Sequence, residues 1–136
     1  MNDGGQACAC DIVFWYFHIM ARNVVWSMET LADQAERDVL GINPIIYAEV
    51  SMGFVRIEDL DAALPSPTFH RLALPWEAAF LAGKCFLAYR KRGGVRSSPL
   101  PDFYIGAHAT VSGMTLLTRD ASRYRTYFPK LRLIAP

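Results

Sequence analysis

Hydrophobic and polar residues along this chain fall into blocks whose period changes from segment to segment. The first ten residues, MNDGGQACAC, are small or polar and read as a loose N-terminal tail. The run DIVFWYFHI, from Asp11 to Ile19, is β-branched and aromatic and predicts a buried strand. SMETLADQAERDV, from Ser27 to Val39, predicts a helix with Ser27 as its N-cap and Glu29 and Asp33 behind it. VLGIN then predicts a short strand. From Pro44 to Ile57 the apolar residues Ile46, Val50, Phe54 and Ile57 recur at helical spacing behind a proline suited to the first helical position. EDLDAAL predicts a second short helix, stopped by Pro65 and Pro67.

The clearest helical pattern is PWEAAFLAGKCFLAYRKRGG, with Trp76, Ala79, Phe80, Gly83, Phe86 and Leu87 on one face, read as the core face. Gly93 and Gly94 end it behind Arg90, Lys91 and Arg92, which complement the helix dipole. PDFYIGAHATVSG follows as another helix, with Asp102 in its first turn and Gly113 as a stop. MTLLT and LRLIA predict buried strands separated by RDASRYRTYFPK. Strands alternating with helices predict one α/β domain over residues 1–136, built on a mostly parallel sheet. In such sheets ligands sit outside the carboxyl ends of the strands.

Composition narrows the class. With 52% hydrophobic and 20% charged residues, the chain is globular rather than disordered. The net charge of +1 conceals a polarised distribution. Residues 83–136 hold ten of the fourteen Lys/Arg and two of the thirteen acids, Asp102 and Asp120. That asymmetry suits an anionic partner such as nucleic acid, and equally a solvated basic surface. Three cysteines leave one unpaired in any disulfide scheme and favour a reduced, cytosolic setting. The longest apolar run, from Ile12 to Ala21, is about half a membrane span. No nucleophile motif or glycine-rich phosphate loop is present, and His18, His70 and His108 are scattered and read as structural.

The chemistry therefore rests on carboxylates. Asp120 follows a predicted strand, Asp102 opens the helix leading into it, and Glu49 lies in the helix after VLGIN. Carboxylates gathered at one edge repel each other unless a cation neutralises them, and hard oxygen donors suit Mg²⁺ or Mn²⁺. Each acid also has a plainer reading: Asp102 as a helix cap, Asp120 as a turn residue, Glu49 as a solvated side chain. Tyr124, Tyr127 and Phe128, interleaved with Arg123 and Arg125, fit base stacking or core packing.

INPIIYAEVS, PLPDFYIGAHA and LLTRDASRYRTYFP closely resemble the PIN-domain ribonucleases, in particular the VapC-type toxins of toxin–antitoxin pairs. The resemblance implies a three-layer sandwich with helices on both faces of a parallel sheet. It also implies Mg²⁺-dependent cleavage of RNA, a small antitoxin partner and dimerisation through helical surfaces. Residue by residue it makes Glu49, Asp102 and Asp120 the metal-holding catalytic acids, with Thr118 and Arg119 shaping the pocket. Arg92, Arg96, Arg119, Arg123 and Arg125 are the expected backbone contacts for RNA. PIN domains usually begin with a strand ending in the first metal-ligand aspartate, followed by Thr or Ser and then Asn. Here the apolar run begins with Asp11 and ends in HIMARNVV, so Asp11 is the candidate but stands at the start of the predicted strand rather than at its end. That departure supports an alternative, a PIN-like module with impaired catalysis that binds nucleic acid or a protein partner.

Overall fold

The computed structural model describes residues 7–9, 24–37, 40–96, 100–119 and 121–136. Its elements in chain order are β1 (Ala7–Ala9), α1 (Val24–Arg37), β2 (Leu40–Ile42), α2 (Pro44–Ser51), α3 (Ile57–Ala63), β3 (Phe69–Arg71), α4 (Trp76–Lys91), α5 (Pro101–Val111), β4 (Thr115–Leu117), α6 (Ser122–Tyr127) and β5 (Leu133–Ile134).

The five strands form one parallel sheet in the order β3-β2-β1-β4-β5. From β1 the chain builds outward to β2 and β3, then crosses back to place β4 on the other side of β1, followed by β5. Right-handed crossovers running in opposite directions put their helices on opposite faces, which yields the three-layer α/β sandwich. The order reverses between β1 and β4, where Ala9 is in register with Leu117. A reversal of this kind opens a crevice at the carboxyl edge of the sheet.

The core holds Leu40, Ile42, Ile46, Val50, Leu60, Leu64, Phe103, Ile105, Leu116, Leu117 and Tyr124, all essentially inaccessible to solvent. Phe103 lies edge-on between Tyr89 (5.7 Å) and Tyr127 (5.1 Å), tying α4, α5 and α6 together. Gly106 is needed where α5 meets Phe128, because a Cβ there would lie 2.4 Å from the ring. The predicted stops of α4 and α5 are correct. Gly93 (φ 92°) and Gly113 (φ 67°) adopt left-handed conformations. The amide of Gly94 returns to Tyr89 and that of Met114 to Ala109, so both helices end in Schellman motifs.

Several expectations are corrected. Residues 7–9, read as tail, are the central strand. A strand flanked on both edges draws its stability from two ladders, so Ala-Cys-Ala needs no branched side chains to belong there. The predicted strand from Asp11 to Ile19 lies outside the described residues. α1 starts at Val24 and carries Ser27 inside it rather than at its N-cap. The predicted helix 44–57 stops at Ser51, where the amides of Gly53 and Phe54 fold back to Val50 and Ser51. Ile57 instead begins α3 and is exposed. The largest correction concerns α4. Its inward face is Ala78, Ala82 and Cys85, whereas Trp76 (88%), Phe80 (69%) and Leu87 (52%) are exposed. Small side chains let α4 approach α5 closely, and a pattern weighted by large apolar residues selects the opposite face.

Candidate metal centre at the carboxyl edge

β2 delivers the chain to Asn43, whose extended backbone (φ −119°, ψ 174°) places its side chain over the start of α2. Its Oδ1 accepts the amide of Ile46 at 2.9 Å, and Pro44 occupies the first turn, where its missing N–H costs nothing. Glu49 follows in the second turn of α2 and is half-buried. The Asn43 Nδ2 donates to His108 Nδ1 at 3.0 Å, and both residues are buried.

α5 opens from Leu100 with Pro101 at its first position and no side-chain cap, so Asp102 is not the cap of its own helix. Its carboxylate, 28% exposed, instead accepts the Arg123 Nη1 at 2.8 Å. Arg123 belongs to α6, so the chain after β4 folds back over the first turn of α5. Thr118, fully buried after β4, extends the ladder by donating its amide to Ile134 at 3.1 Å. Arg119 is half-buried beside it.

Asp120 lies outside the described residues, as does Asp11. Along the chain, Asp120 stands three positions past the end of β4 and Asp11 two past the end of β1, the strands that flank the switch point. This revises the reading of Asp11, which follows the first strand rather than opening it. Among the described residues no group of three potential metal ligands is assembled. Glu49 and Asp102 are hard oxygen donors on helices whose N-termini face the carboxyl edge. That donor chemistry fits Mg²⁺ or Mn²⁺ and not a soft metal.

The expected RNA contacts divide. Arg125 and Arg96 are exposed. Arg92 lies over the Tyr127 ring at 5.4 Å, and Arg123 is engaged with Asp102. Tyr124 and Phe128 are core residues, so they do not offer faces for stacking. Cys85 is buried and free, and burial pushes its thiol above the usual range.

A second polar cluster has no trace in the sequence pattern. Tyr47 donates to Asp61 Oδ1 at 2.8 Å and Arg71 to the same oxygen at 2.6 Å, with the guanidinium 5.1 Å over the tyrosine ring. The hydrogen bond from Tyr47, then that from Arg71, holds the Asp61 carboxyl below its usual value. The cluster borders a cleft of about 420 Å³ near edge strand β3, lined by Ile42, Asn43, Pro44, Ile57, Leu72 and Ala73 as well as by Tyr47 and Arg71. Tyr47 and Asp61 lie in elements that begin with unremarkable helical patterns, so only the fold brings them to Arg71.

A doubly wound parallel domain whose strand order reverses between β1 and β4 defines the class. The PIN domain family model matches residues 13–129, and the chain belongs to that family, whose members are generally nucleases. The fold resembles VapBC2 of Rickettsia felis, solved bound to a DNA fragment from its promoter. That match has a TM-score of 0.67 and 18% identity, and covers 96% of this chain and 98% of the other. VapBC-1 of nontypeable Haemophilus influenzae is similar to the same degree (0.67, 18%, 96% of each chain). FitAcB of Neisseria gonorrhoeae gives 0.63 at 16%, over 93% and 96%. No curated protein matches the sequence.

Proposed function

We propose that this protein is a metal-dependent endoribonuclease and the toxin of a type II toxin–antitoxin pair, working in the cytoplasm. The observation that supports it most is the switch point. Glu49 and Asp102 sit on helices that start at the carboxyl edge, and Asp11 and Asp120 follow the two adjacent strands there. Asp11, Glu49, Asp102 and Asp120 would hold Mg²⁺, with Mn²⁺ as a substitute. The ion would supply water activation and charge neutralisation at a phosphodiester. Thr118 fixes the backbone before Asp120, and Arg123, beside Asp102, joins exposed Arg96, Arg125 and Arg92 in holding the flanking RNA backbone with a salt-dependent affinity.

The impaired-module alternative rests on the departure of the N-terminus from the PIN pattern. β1 at Ala7–Ala9 puts Asp11 two residues past a strand in sequence, which favours the four-acid reading over it. Calorimetric titration with Mn²⁺ and an RNA cleavage assay test the four-acid reading. Asp11→Ala is expected to lose both, and robust cleavage by that variant returns the first ligand to an unassigned residue.

Similarity to VapBC structures supports a small antitoxin as partner. The exposed stripe on α4 supports a homodimer. In an antiparallel pairing of two copies of α4, Trp76 meets Leu87 and Phe80 meets Gly83, where nothing fills the space within 4 Å of a built Cβ. Phe80→Asp should convert a dimer to a monomer in sedimentation, and an unchanged mass would remove this face from consideration. Among the described residues no helix is long and apolar enough to cross a membrane.

A further inference from the structure

We propose that the Asn43–His108 hydrogen bond is a strut that sets how α2 and α5 lie against each other, making His108 a positioning residue for Glu49 and Asp102. The proposal rests on reading those carboxylates as metal ligands.

Asn43, His108 and Thr118 are the buried polar residues among those described. A polar pair in a core is costly unless its groups satisfy each other, and once satisfied it selects one arrangement over others of similar packing. Here the two partners are 65 residues apart in sequence and joined at 3.0 Å. The Asn43 side chain is locked at both ends. Its oxygen is committed to the Ile46 amide, so its nitrogen must face the imidazole. The ring therefore accepts at Nδ1, which places its proton on Nε2 and leaves it uncharged. An aliphatic pair would fill the same space but would let α2 slide or rotate on α5.

The strut bears on the carboxylates through the helices. Glu49 is six residues after Asn43, and Asp102 six before His108. Six residues of helix span about 9 Å, so each carboxylate is carried on a short rigid arm from the contact. A small tilt of α2 at the strut displaces Glu49 relative to Asp102, and metal coordination tolerates only a few tenths of an ångström.

The test measures Mn²⁺ affinity by calorimetry on the full chain, with thermal unfolding of each variant to show that it is folded. His108→Leu removes the acceptor. Asn43→Ser keeps a helix cap but is too short to reach the ring. Each is expected to weaken Mn²⁺ about 10-fold or more, as loss of an outer partner of a metal site does. His108→Gln presents an oxygen acceptor to Asn43 and is expected to stay within about 3-fold of wild type. Folded His108→Leu and Asn43→Ser proteins that bind Mn²⁺ like wild type overturn the strut, provided Asp102→Asn abolishes binding. A glutamine variant as weak as the leucine variant overturns it too. If Asp102→Asn leaves Mn²⁺ affinity unchanged, the metal-centre reading itself fails and the strut falls with it.

Discussion

Asp61 and Asp102 each face an arginine at hydrogen-bonding distance, 2.6 Å for Asp61 and 2.8 Å for Asp102, yet they occupy opposite kinds of place. Asp61 collects partners from two other elements, Tyr47 on α2 and Arg71 on β3, with both bonds on one oxygen. It staples the edge of the sheet. Asp102 has one arginine and sits in the first turn of the helix that leads into β4, a strand at the reversal of order. Ion-pair geometry alone does not tell a staple from a reactive carboxylate. The proposed function separates them by neighbourhood. Asp11 and Asp120 follow in sequence the two strands at the reversal of order, where ligands of such sheets bind, whereas the cleft beside Asp61 is bordered by Arg71, Tyr47, Asn43 and apolar side chains.

Neutralising the two carboxylates tests that contrast most severely. Asp102→Asn is expected to lower Mg²⁺-dependent RNA cleavage more than about 100-fold, since a direct ligand should outweigh the 10- to 100-fold effect of an outer partner. The fold should survive, because so exposed a pair contributes about 1 kcal/mol or less. Asp61→Asn should cleave within about 2-fold of wild type, the scatter of a surface change remote from the chemistry. Equal losses from the two variants would end the distinction between staple and site.

Replacing the arginines sharpens it further. Arg123→Gln removes a positive charge beside Asp102 and a contact for RNA. KM should rise about 10-fold, the scale of one charge-assisted contact worth about 1.5 kcal/mol, while Mn²⁺ affinity should not fall. Removing a cation near a cation site favours the metal, so the two readouts diverge. Arg71→Gln should move neither. If Arg123→Gln weakens Mn²⁺ as strongly as it weakens RNA, then Arg123 acts by holding Asp102 in place rather than by binding substrate.

How much of this was legible in the sequence depended on whether the signal was local. β2, β4 and β5 stood out because short apolar segments sat between helical patterns and turn residues. The ends of α4 and α5 were readable because only glycine enters the left-handed region cheaply at a Schellman end. β1 was missed because Ala-Cys-Ala carries no hydrophobic signature, while the aromatic run beginning at Ile12 carries a loud one. That single misplacement displaced Asp11 to the wrong side of its strand. The packed face of α4 was missed for the converse reason: Ala78 and Ala82 matter by being small. Glu49 and Asp102 were singled out as candidates from position and charge, but nothing in the sequence announced that Arg123 pairs with Asp102. Asn43–His108 and Tyr47–Asp61–Arg71 were unreadable, since no local pattern announces a contact made only by tertiary packing.

Acid should separate the two polar clusters anchored on α2 in sequence, with the smallest effect of all. Burial lowers the His108 pKa below 6.5, so the folded state binds fewer protons there than the unfolded chain. Its stabilisation is complete above about pH 6.5, the ordinary histidine value, and is lost as pH falls toward the lowered one. Asp61 behaves as a depressed carboxylate: its contribution is present above the usual carboxylate range and disappears only as pH falls through its lowered value. Thermal midpoints measured from pH 7.5 downward should therefore decline first through His108, and His108→Gln should flatten that first decline. Asp61→Asn should run parallel to wild type through that window and meet it only once pH falls below the lowered value of the Asp61 carboxyl, where that group is neutral in the wild type as well. A first decline that persists unchanged in His108→Gln would assign it to another group and leave the imidazole without a part in acid stability.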